Sequence, residues 1–64
     1  MQMKPTTLDI AGLETVYDQL AVAIDAVGAD KSELLLVKLA LLAANRLGDA
    51  GQFGELIAAA QRDL

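Results

Sequence analysis

The run Leu34-Leu35-Leu36-Val37-Lys38-Leu39-Ala40-Leu41-Leu42-Ala43-Ala44 constrains this chain more than any other stretch. It is apolar on nearly every side of a helix, and Lys38 is its single charge. A helix that is apolar all round has to be covered all round. The chain has only 64 residues to do it with. A domain of about that size buries only about 60% of the surface its unfolded chain exposes, so its stability is marginal. Disulfides, a bound metal or association are the common remedies. Cysteine and histidine are both absent, which removes disulfides and leaves only carboxylate sites for Ca²⁺ or Mg²⁺. The D-x-D-x-D-G loop of such sites is missing as well. Association remains, and a hydrophobic share of 55% points the same way.

Charge narrows the partners. Five basic residues stand against nine acidic ones, for a net charge of −4, and the basic residues are scattered along the chain. Nucleic acid requires a concentrated positive face that displaces counterions, so no nucleic-acid partner is expected. Anionic membrane surfaces are disfavoured for the same reason. The apolar run falls well short of the ~20 residues of a membrane-spanning helix. Met1-Gln2-Met3-Lys4 is not followed by an apolar signal region. A cysteine-free composition fits a reducing compartment. The expectation is a cytoplasmic protein with no membrane partner.

The pattern along the chain is helical throughout. Met1–Thr7, interrupted by Pro5, reads as a flexible leader, and residues 8–64 read as one helical domain. A first helix over 10–27 opens with Asp9 as N-cap and Leu8 in position to staple onto Leu13. Ile10, Leu13, Tyr17, Leu20, Ile24 and Val27 alternate spacings of three and four, a single seam that Val16 and Ala23 widen. Glu14, Asp18 and Asp25 fall to one side as an acidic flank. Gly28 supplies a left-handed stop.

A second helix is expected over 31–47, with Asp30 and Glu33 as a capping box. The short link Gly28-Ala29-Asp30 directs the two helices into an antiparallel hairpin. Around the second helix, Leu34, Leu35, Leu39, Leu41 and Leu42 form a bulky face. Leu36, Val37, Ala40, Ala43, Ala44 and Leu47 form a smaller one. Gly48 ends it, and Asp49 with Gln52 repeats the capping pattern for a third helix over 50–63, faced by Phe53, Leu56, Ile57, Ala60 and Leu64. Gly51 and Gly54 in its first turns each cost up to about 1 kcal/mol against alanine, so a late start or fraying is expected there.

Candidate chemistry is sparse. Without histidine or cysteine the common nucleophile–base pairs cannot be built, and no catalytic residue, cofactor site or metal site is assigned. Asp18 and Asp25 with Glu14 read as a solvated flank, since a catalytic pair needs a pocket that perturbs it. Gly48-Asp49-Ala50-Gly51 is a helix-to-helix turn without the Lys-Ser/Thr of a phosphate loop. Tyr17 reads as seam, its hydroxyl at the edge. Ser32, the only serine, has a local role at the start of a helix. The stretch Gly28-Ala29-Asp30-Lys31-Ser32-Glu33-Leu34 also resembles the Asp-Ser-Leu site of acyl carrier proteins, in which the serine carries a phosphopantetheine arm. Here Lys31 splits Asp from Ser, and the long first loop of that fold is missing.

Lys31, Lys38 and Asn45 stand seven apart and draw a narrow polar line along the leucine side of the second helix. Two readings of Lys38 and Asn45 stand side by side. In one, the lysine snorkels from a helix rim. In the other, the pair lies in a helix–helix interface and fixes its register.

Leu41-Leu42-Ala43-Ala44-Asn45-Arg46-Leu47-Gly48-Asp49 resembles a small bacterial family of about this length known only as a domain of unknown function. Its members carry an apolar helix ending in a Leu-Ala-Asn-His-Ile-Gly-Asp-type sequence. Tyr17-Asp18-Gln19-Leu20 matches that family's aromatic-Tyr-x-x-Leu segment. The chain departs from the pattern at Arg46, where a histidine is usual, and at Val16, where an aromatic is usual. Any role of that histidine would be lost here. The resemblance brings no established activity; it implies at most an accessory role beside a flavin-dependent aromatic hydroxylase.

The expectation is therefore an all-α protein, a helical hairpin plus a short third helix, acting as a non-enzymatic interaction module without cofactors. Self-association as a homodimer is expected through Leu34, Leu35, Val37, Lys38, Leu41, Leu42, Ala44 and Asn45. A heteromeric protein partner docking on the same helix is the alternative.

Overall fold

In a computed structural model that describes residues 7–64, the described residues form three helices and no strand. In chain order they are α1 (Ile10–Val27), α2 (Ala29–Leu47) and α3 (Ala50–Gln61). The fold is all-α, as expected. Apart from Thr7, an exposed bend, the leader expected over Met1–Thr7 lies outside the described residues. The chain divides into two compact units, Met1–Ser32 and Glu33–Leu64, with the boundary inside α2.

In the first unit, Asp9 starts α1 from extended backbone. Its side chain accepts the Gly12 N–H at 2.7 Å and its carbonyl accepts the Leu13 N–H at 2.9 Å. The first of these satisfies one of the N–H groups that a helix start leaves without partners, and the second is the first bond of the helix itself. Leu8 lies against this turn, its Cδ2 3.2 Å from where a Cβ would stand on Gly12.

Gly28 closes α1 and opens α2 by itself. Its N–H donates to the Ile24 carbonyl at 3.1 Å, and its own carbonyl accepts the Lys31 N–H at 3.1 Å and the Ser32 hydroxyl at 2.9 Å. A φ of +83° makes so tight a passage possible, in a region where side chains other than hydrogen are strained. The expected three-residue link is thus a single residue, and α2 begins at Ala29. Asp30 consequently lies inside the first turn and is not an N-cap, so the expected Asp30–Glu33 capping box does not form. The acid still suits the positive end of the helix dipole.

The seam of α1 is covered over part of its length. Leu20, Ala23 and Ile24 are half-buried, whereas Ile10, Leu13, Tyr17 and Val27 are exposed. Tyr17, expected as seam, is 72% exposed. It shares the margin of the stripe with Ile10, away from Ala23.

In the second unit, α2 runs on to Leu47 and Gly48 takes a positive φ of 78° behind it, its N–H donating to the Ala44 carbonyl at 2.9 Å. Asp49 then caps α3 as its spacing suggested. Its side chain accepts the Gln52 N–H at 2.8 Å and its carbonyl the Phe53 N–H at 3.0 Å. Gly51 and Gly54 are both helical, so α3 does not start late. The cap accounts for this in part: the Asp49 side chain satisfies the Gln52 N–H, and a cap of that kind, about 1 kcal/mol, offsets one glycine. The helix stops at Gln61, two residues short of the expected end, and leaves Leu64 outside it. Phe53 is half-buried, and Leu56 and Ile57 are exposed.

Candidate interaction surface on α2

No described residue is fully buried. What singles out α2 is how its exposure is distributed. Leu41 and Leu42 are 65% and 67% exposed, Leu34 56% and Val37 49%. Leu36, Leu39 and Leu47 are each close to 41–42%. At 3.6 residues per turn, Val37, Leu41, Leu34 and Leu42 fall within one arc somewhat over a third of the way round. Asn45 and Lys38, both exposed, sit at its middle. Leu36 and Leu47 lie roughly opposite. The difference is one of degree: the leucines on both sides of α2 are exposed, those on this arc more so.

The eight residues expected in an interface fall on this arc. Leu34, Val37, Lys38, Leu41, Leu42 and Asn45 are exposed, while Leu35 and Ala44, at its two margins, are half-buried. Sequence reasoning ranked Leu39 with the bulky face, but it lies toward the less exposed side. Only a coverage pattern could have separated it from Leu42, because the periodicity gives both the same residue type on neighbouring rows. Val22 of α1, 69% exposed and off the seam, was not singled out. It stands alone among polar and small neighbours, and a scattered apolar side chain of that sort is ordinary.

Elsewhere the side chains do little chemistry. Ser32 directs its hydroxyl to the Gly28 carbonyl and is part-buried, which accounts for it as a helix-start residue. Glu14, Asp18 and Asp25 are all exposed, as a solvated flank should be. Among the described residues, no group of three or more His, Cys, Asp or Glu could hold a metal ion, and no helix is long and apolar enough to cross a membrane. The chain matches no protein-family model, no curated protein and no solved structure.

Proposed function

We propose that the protein is a non-enzymatic interaction module that self-associates as a homodimer through the more exposed side of α2. The observation that carries this reading is the contiguous arc of Leu34, Val37, Leu41 and Leu42, each about half exposed or more. Burying a leucine side chain completely contributes on the order of 2 kcal/mol. Several half-exposed ones on one helix hold a driving force of a few kcal/mol that a partner surface would release. The antiparallel hairpin expected from the short link, and its pairing with a second copy into a four-helix core, belong to this proposal. So does the absence of catalysis, which rests on a sequence without histidine or cysteine and a lone serine whose hydroxyl is spent on backbone.

Sedimentation equilibrium over a wide concentration range tests the reading. A mass that rises to twice that of the chain supports it. A stable monomer at every concentration overturns it and favours a heteromeric partner, such as an enzyme subunit to which α2 docks.

A further inference from the structure

We draw no further inference here: the strongest candidate, the exposed surface patch of Ile10, Leu13 and Tyr17 on α1 beside the acidic flank of Glu14, Asp18 and Asp25, has nothing in the structure to show what covers it.

Discussion

Helices α1 and α2 are nearly equal in length, 18 and 19 residues, and both leave large aliphatic or aromatic side chains in solvent. They do so differently. On α1, the acids Glu14, Asp18 and Asp25 form a charged flank beside Ile10 and Tyr17, and Val22 stands off the seam entirely. On α2, Leu34, Val37, Leu41 and Leu42 adjoin one another, and only Lys38 and Asn45 interrupt them. Exposure of an apolar residue is common on any protein, whereas several large ones on one face are less so. The contrast teaches that the number of large apolar side chains sharing one face, and the absence of an acidic border, distinguish the two surfaces more than the degree of exposure does. Tyr17 is more exposed than any of the α2 leucines, and with Ile10 and Leu13 it forms a smaller apolar patch bordered by the acidic flank.

The largest expected effect puts that contrast to work. Leu34→Lys, Leu41→Lys and Leu42→Lys combined should weaken self-association at least a hundredfold, an effect of about 3 kcal/mol. Ile10→Lys, Tyr17→Lys and Val22→Lys combined should leave the mass in sedimentation as it was. Equal effects from the two sets would erase the distinction between the helices.

The next effect compares the helix ends. Alanine at Gly28 or Gly48 is forced to a positive φ and should destabilise the fold by about 1 kcal/mol or somewhat more, read as a lower midpoint in urea. Gly28→Ala should be the worse of the two, because this residue has bonds to keep on both sides. Removing the caps with Asp9→Ala and with Asp49→Ala should each cost about 1 kcal/mol, visible as lost helical circular dichroism on heating. The smallest effect is a gain. Gly54→Ala meets nothing within 4 Å and should stabilise by up to about 1 kcal/mol. Gly12→Ala gains little, since its Cβ would stand 3.0 Å from the Asp9 carboxylate and 3.2 Å from Leu8.

Local features were the ones legible in the sequence. The caps at Asp9 and Asp49 and the stops at Gly28 and Gly48 each depend on one or two residues, and the spacing of those residues is written directly in the chain. The start of α2 was misread for an equally local reason. Asp30 and Glu33 look like a capping box, but a glycine at positive φ lets the helix begin earlier, and Ser32 four residues on binds the glycine carbonyl that a box would have left to solvent. The glycines of α3 were over-weighted because propensity was counted without the cap in front of them. Coverage was not legible at all. Periodicity shows which residues of α1 share a stripe, from Ile10 to Val27, but not that cover would reach Leu20 and Ile24 and stop short of Tyr17. That depends on how much surface the rest of the chain has to offer, and no spacing within one helix encodes it.

The single-residue joint at Gly28 has a consequence for how this chain could vary. Its peptide groups serve the tail of one helix and the head of the next, so an inserted residue there would surrender a bond of one or the other and rotate everything that follows about the helix axis by about 100°. The Gly48–Asp49 joint divides those duties between two residues and has more slack. Changes of length should accumulate at the second joint and be purged at the first, which would hold the phase of the leucine-rich helix fixed relative to the turn that launches it.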